Sequence, residues 1–289
     1  MSFFPFLLTQ CLNALSQAAL LFFLGVGLTL IFGIMRIVNF AHGSFYMLGA
    51  YIGFSAARVT GNFWLALIAA PLIAGAVGTG FEFGILRRLY RRDGSAFLMV
   101  TFGLTLVMGE IIRLTWGVDP LQVRVPDAFA GIVFLFDEPF PIYRLFLAVA
   151  GVIVALAIWQ FLERTRLGLL IRATSQNAEM VHALGVDVNL VRSAVFGIGC
   201  GLAALGGLLA APLITASLGM AANAIIDAFV IVIIGGMGSF LGSLLGALLV
   251  AFVQVFGTYY YPDFAIAFMY LIMLLVLVVR PGGLLGKEA

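Results

Sequence analysis

The chain of 289 residues is 63% hydrophobic and only 10% charged, with a formal net charge of +2 and a mean hydropathy of +1.18. Soluble domains average about 45–50% apolar and about 25% charged residues, so a water-soluble globule of this composition would lack polar surface. The near-neutral balance gives no nucleic-acid signal.

The implied solvent is a bilayer, where backbone groups must be satisfied internally. The apolar runs are continuous, which predicts helices and argues against the short alternating segments of a lipid-facing barrel. Met1–Thr9 has no basic region, and no cleavage pattern follows it, so no signal peptide is expected. Cys11 and Cys200 both sit in apolar runs and read as core thiols.

The first run is Leu12–Ile34, ended by Arg36 and by the polar break Asn39-Phe40-Ala41-His42-Gly43. Ser44–Ala57 follows; its 14 residues reach only about 21 Å as a helix. That predicts a tilted, broken or re-entrant piece. Phe63–Leu86 spans next and ends in Arg87-Arg88-Leu89-Tyr90-Arg91-Arg92, the strongest cytoplasmic marker in the chain. Ala96–Trp116 returns outward to a proline-rich, acidic loop over residues 117–142. Tyr143–Leu162 goes inward to the long polar stretch over residues 163–192, with Arg164, Arg166, Arg172 and Arg192 on the same cytoplasmic side. Ser193–Thr215, Ala224–Thr258 and Phe264–Val279 complete the spans, and Arg280 and Lys287 follow the last.

Arg192 and Arg280 belong on one side, so an even number of crossings separates them. Ala224–Thr258 must then be two segments joined at Gly235–Gly242. The expected fold is an all-α polytopic bundle of eight or nine membrane segments forming one transmembrane domain. Nine segments place the N-terminus outside; a re-entrant Ser44–Ala57 gives eight and places it inside. Related strings at the two breaks, Gly43-Ser44-Phe45 and Gly238-Ser239-Phe240, raise an inverted repeat as one account, with chance similarity in a glycine-rich chain as the other.

Glycines four apart (49/53, 80/84, 197/201, 238/242, 242/246) suit close helix contacts. A break at Gly235, Gly236 and Gly238 exposes backbone polar groups, to be satisfied by a passing solute or by neighbouring helices. Asn39, His42 and Gly43 flank the other break and could line a polar pathway or simply cap and pack. Of the ionisable residues inside spans, Glu110 and Arg113 suit a helix-face pair, and Glu82 suits a local pair with the nearby arginines. Asp227 suits the first turn of a short helix. Membrane-buried acids are too few for the usual relay of a proton-driven carrier. No metal-ligand cluster, nucleophile or P-loop is evident, so no cofactor and no enzymatic activity are expected in this chain. Arg172–Val186 reads as a short amphipathic helix with Ala178, Val181, Ala183 and Leu184 on its apolar side and Gly185 as C-cap. Such a helix docks in a partner's groove or lies on the membrane surface.

Three blocks resemble the LivH-type permease subunits of bacterial branched-chain amino-acid ABC importers. They are Gly27–Gly43 with its Asn-Phe-Ala-His-Gly core, the Arg172–Val186 stretch, and Val232–Gly242. The ending Arg280–Gly286 also fits, and Ser44 stands where many relatives carry an acidic residue. The resemblance implies a multi-pass bacterial inner-membrane protein paired with a second, homologous permease. Two ATPase subunits carrying ATP and Mg²⁺ would engage Arg172, Asn177, Ala178, Glu179, Ala183 and Gly185, and an extracytoplasmic binding protein would deliver the solute. Asn39, His42, Gly43, Asp227, Gly235, Gly236 and Gly238 would lie near the pathway. The family also admits importers of urea, short amides and other small carboxylates; a self-contained ion-coupled carrier is the competing class.

Overall fold

In hydrocarbon an unpaired backbone N–H or C=O has no water to turn to, so each apolar run closes its hydrogen bonds within itself as a helix. The computed structural model, which describes residues 3–90, 94–136 and 138–286, has this arrangement. Arg91, Arg92, Asp137 and Lys287 lie outside the described residues. The helices are α1 (Phe3–Met35), α2 (His42–Thr60), α3 (Phe63–Gly84), α4 (Gly94–Trp116), α5 (Ile142–Arg164), α6 (Arg166–Gln176), α7 (Ala178–Ala183), α8 (Val188–Ile214), α9 (Met220–Gly235), α10 (Phe240–Tyr260) and α11 (Ala265–Val279). Seven spans, α1, α3, α4, α5, α8, α10 and α11 together with the turn Pro262–Phe264 before it, are long and apolar enough to cross a bilayer. The loop between α4 and α5 carries a two-stranded antiparallel hairpin, β1 (Ile132–Leu135) and β2 (Glu138–Pro141), which the sequence pattern did not announce.

α1 and α8 form the buried centre, and the other spanning helices present much of their surface outward. Small residues set the spacing. α2 lies so close to α8 that a Cβ on Gly207 would run into the Tyr46 carbonyl, and one on Gly49 into Ala204. Gly197 and Gly201 meet α3 in the same way, at Thr79 and Pro71. Of the predicted pairs, Gly80 and Gly84 do no such work: nothing stands within 4 Å of a Cβ at either. Cys200 is fully buried and Cys11 half-buried, both as free thiols.

The contacts also fix direction. α2 runs parallel to α8, because Gly49 faces Ala204 and Gly53 faces Leu208. α1 and α3 run antiparallel to α8, through Gly27 against Gly199 with Phe23 against Gly206, and through Pro71 and Thr79 against Gly201 and Gly197. α2 therefore crosses in the direction opposite to α1 and α3. With α2 and α9 added to the seven bilayer-length helices, the described residues hold nine bundle segments, and the start of α1 lies at the end opposite Arg36.

α2 is longer than the expected Ser44–Ala57 and starts deep in the bundle, its His42 ring bonded to the Leu24 carbonyl of α1. Leu24 lies about 16 Å of helix rise before Met35. The six residues Arg36–Ala41 cover that return, which is within the roughly 20 Å reach of an extended chain of that length.

The 35-residue run near the C-terminus is indeed two helices, but α9 begins at Met220 rather than Ala224. Asp227 is consequently the eighth residue of α9 and not in its first turn. α8 likewise begins at Val188, so the polar stretch between α5 and α8 ends earlier than residue 192.

Candidate functional site

Three regions hold the candidate residues. The first is the start of α2. Asn39 Oδ1 accepts the Ala41 N–H at 3.1 Å, forming the turn that leads the chain back into the bundle. His42 Nε2 lies 2.9 Å from the Leu24 carbonyl. A carbonyl only accepts, so the ring carries its proton on Nε2. Gly43 has no Cβ because the backbone of Ala221 and Ile225 on α9 occupies that space. Phe40 stacks edge-on against Phe229 at 5.5 Å. These contacts bring Asn39, His42 and Gly43 against the first turns of α9, the helix of Asp227.

The packing leaves Asn39, His42 and Ser44 fully buried. Asn39 Nδ2, His42 Nδ1, Ser44 Oγ and Thr29 Oγ1 have no hydrogen-bond partner among the described residues. Each such orphan costs about 1–3 kcal/mol relative to a hydrated state. Asp227 differs: it is half-buried, one helical turn from the exposed Asn223, and among the described residues no side chain bonds its carboxylate.

The second region is the α9–α10 break. Gly235, Gly236 and Gly238 sit at the far end of α9, about 9 Å of helix rise beyond Phe229, which Phe40 touches, and about 21 Å beyond Ala221, which Gly43 touches. Their backbone is satisfied by the chain itself. The Leu284 N–H donates to the Ile234 carbonyl at 2.8 Å and the Leu285 N–H to the Gly235 carbonyl at 3.1 Å. Ser239 caps α10 by accepting the Gly242 N–H at 3.0 Å. Neighbouring chain thus bonds the Ile234 and Gly235 carbonyls and the start of α10 at this break. The two glycine-serine-phenylalanine strings also differ in role: Ser239 is an N-cap, whereas Ser44 lies inside the first turn of α2.

The third region is α6–α7. The Thr165 hydroxyl caps α6 by accepting from Gly168, and the Asn177 Oδ1 caps α7 by accepting the Met180 N–H at 2.9 Å. Asn177 thus splits the segment into two helices. Gly185 closes α7 with φ +85°, its N–H donating to the His182 carbonyl at 3.0 Å. Arg172 pairs with Glu163 at the end of α5. Ile171 and Thr174 bury against the bundle, as does Val181 of α7, whereas Met180 is 59% and Leu184 77% exposed. Ala178 is half-buried, and Glu179 and Ala183 are exposed. Replacing Asn177 with alanine is expected to cost α7 about 1 kcal/mol, seen as faster amide exchange over Met180–Leu184 with exchange in α8 unchanged.

Next to this segment, Glu82 is fully buried where α3 ends and α8 begins. Its carboxylate accepts from Tyr90 at 2.5 Å and from the Ser193 hydroxyl, and Arg87 donates to Ser193 at 3.0 Å. Among the described residues no arginine pairs directly with Glu82, which is held by this hydroxyl relay. Arg87 lies instead over the Phe83 ring, and Arg192 over that of Tyr90, each at 4.7 Å. Sequence reasoning missed both partners of Glu82: Ser193 lies 111 residues away, and Tyr90, eight residues on, reaches back only because a 3-10 turn follows α3. Tyr90→Phe is expected to lower stability by about 1–3 kcal/mol by leaving a buried carboxylate short of a donor, read as an earlier thermal unfolding midpoint in detergent.

Seven helices long and apolar enough to cross a bilayer, around a buried polar turn, with a capped helical pair beside them, define a multi-pass membrane protein. Residues 10–277 match the family described as branched-chain amino acid transport system, permease component, and the chain belongs to that family. It is 28% identical to the high-affinity branched-chain amino acid transport system permease protein BraD of Pseudomonas aeruginosa, over 97% of this chain and 96% of that one. It is 26% identical to the corresponding LivH protein of Escherichia coli K12, over 98% and 97% of the two chains. Among solved structures, PsaBC from Streptococcus pneumoniae in complex with Fab aligns at a TM-score of 0.49 and 15% identity, covering 92% of this chain and 89% of that one.

Proposed function

We propose that the chain is the membrane-spanning subunit of an ATP-binding-cassette importer moving branched-chain or closely related amino acids into the cytoplasm, across a bacterial inner membrane. ATP and Mg²⁺ act on two separate ATPase subunits. A second, homologous permease completes the pathway, and an extracytoplasmic binding protein delivers the solute. The substrate class is supported by the similarity to the branched-chain amino acid permeases BraD and LivH.

The observation that carries the ATPase reading is the α6–α7 pair. Its inner side is anchored by Ile171, Thr174 and Val181, and it holds Met180 and Leu184 out of the bundle. An apolar tip on a rigid, capped support suits a protein groove. Movement of that tip passes through Gly185 and Asp187 into α8, whose far half packs on α2.

In this reading the buried orphans at Asn39, His42 and Ser44 mark a sealed state. Opening the α2–α9 junction would give those atoms water or solute. Asp227 and Asn223 would then line the same route from α9.

Purification of the tagged chain from native membranes is expected to recover a second permease and ATPase subunits. Charge reversal at Arg172 together with Leu184→Asp is expected to lose the ATPase but keep the permease. Recovery of the chain alone, with liposome uptake driven by a proton or sodium gradient, overturns the proposal in favour of a self-contained carrier.

A further inference from the structure

A second feature lies away from the polar turn and the α6–α7 pair. α5 and α10 both pack on α1 and leave between them an apolar slot of about 850 Å³. Its floor is α1 around Leu15 and Ala18; its walls include Leu145, Ala148 and Trp159 of α5 and Leu244 of α10. From Leu145 to Trp159 the slot follows about 21 Å of helix rise, most of the roughly 30 Å hydrocarbon thickness. In a bilayer, hydrocarbon fills such a slot.

One end of the slot is not apolar. Arg144 immediately precedes Leu145, and its Nη1 donates to Asn13 Oδ1 at 2.5 Å. Asn13 lies between Leu12 and Leu15, both of which line the slot. The guanidinium is therefore held at the rim by a neutral partner, and among the described residues no carboxylate forms an ion pair with it. A fixed, uncompensated guanidinium at the edge of hydrocarbon suits a phosphate, which it can engage through its remaining N–H groups. At the other end stands Trp159, a residue type favoured at the membrane–water interface.

We propose that this slot binds an anionic phospholipid, with its acyl chains between α5 and α10 and its phosphate on Arg144. The rim guanidinium favours a phosphate-bearing lipid over an apolar partner helix, which would bury that charge without a partner. Charge favours an anionic headgroup over a zwitterionic one, because the rim supplies a cation and no matching anion.

The test uses the full chain in membranes supplied with phosphatidylglycerol bearing a photoreactive acyl chain. After irradiation and extraction in mild detergent, adducts are mapped by mass spectrometry. They are expected to concentrate on Leu12–Phe22, Leu145–Trp159 and Phe240–Leu248. Arg144→Gln is expected to lower their yield at least fivefold, as is replacing the probe's headgroup with phosphatidylethanolamine. Ala148→Phe, which fills the slot, is expected to do the same while the chain still elutes as one species. Adducts spread evenly over α3, α4 and α11, or a yield indifferent to both Arg144→Gln and the headgroup, would overturn the proposal. So would an efficient cross-link from Ala148→Cys, through the slot, to a neighbouring permease subunit.

Discussion

Replacing Gly185 with valine is expected to reduce amino-acid uptake about tenfold while leaving membrane insertion and ATP hydrolysis by the assembled transporter largely intact. Gly185 holds φ +85°, and nothing lies within 4 Å of a Cβ placed there. The substitution therefore meets no steric obstacle and acts through the backbone alone. The left-handed conformation costs a residue with a Cβ about 1–2 kcal/mol, a factor of roughly 5–30 in a local equilibrium. The structure that yields is the end of α7, where Gly185 donates to His182 and Val186 to Val181. The link between the exposed Leu184 and the capped start of α8 then slackens, and motion of a docked partner is lost before it reaches the spans. Uptake and ATPase activity measured together in proteoliposomes check this. Gly185→Asn, which tolerates the left-handed region, should recover most of the uptake. Wild-type uptake by the valine variant would show that the α7 terminus transmits nothing.

Gly236→Ala is expected to be among the most damaging single substitutions for stability, although it adds one methyl group. Gly236 has φ +100°, and a Cβ there would lie 2.6 Å from the Gly286 Cα and 2.9 Å from the Gly282 carbonyl oxygen. Both obstacles are backbone, so no side chain can rotate away. Overpacking of this kind costs about 1–3 kcal/mol, and the backbone conformation adds about 1–2 kcal/mol. The thermal midpoint should fall on the order of 10 °C. Removing the chain from Gly282 onward should be similarly harmful for a different reason: it strips Leu284 and Leu285 from the Ile234 and Gly235 carbonyls. Gly103→Ala, with nothing within 4 Å of its Cβ, is the matched control and should unfold as the parent does. Unchanged midpoints for both the Gly236 variant and the truncation would show that the tail does not seal the break.

The candidate sites were legible in different degrees, for reasons that follow from the range of the interactions. Gly185 was readable as a C-cap because capping is settled within one helical turn. Asn177 was named without its role, since whether an asparagine caps a helix or continues it depends on how the following turn packs. The hydroxyl relay on Glu82 was not readable at all. Proximity to Arg87 in the sequence suggested a direct pair, yet α8 brings Ser193 into contact with Glu82 and takes that place.

By itself the sequence determined that this is a helical membrane protein with two interrupted regions, an arginine-marked side and a split near Gly235–Gly242. Those conclusions rest on the absence of water in hydrocarbon, on span length and on charge, all properties of continuous segments. The tertiary structure decided which polar groups meet. It put the start of α2 inside the bundle, at the level of Leu24 and against α9. It set Gly43 against the first turns of α9 and the Gly235–Gly238 break at that helix's far end, with Phe40 on Phe229 between them. It also closed that break with the chain's own tail. A helix pattern in the sequence gives the length and face of a segment but not its depth. Depth here is set by close backbone contacts, Gly43 on Ala221, Gly207 on Tyr46 and Gly33 on Gly238, between residues far apart in the chain.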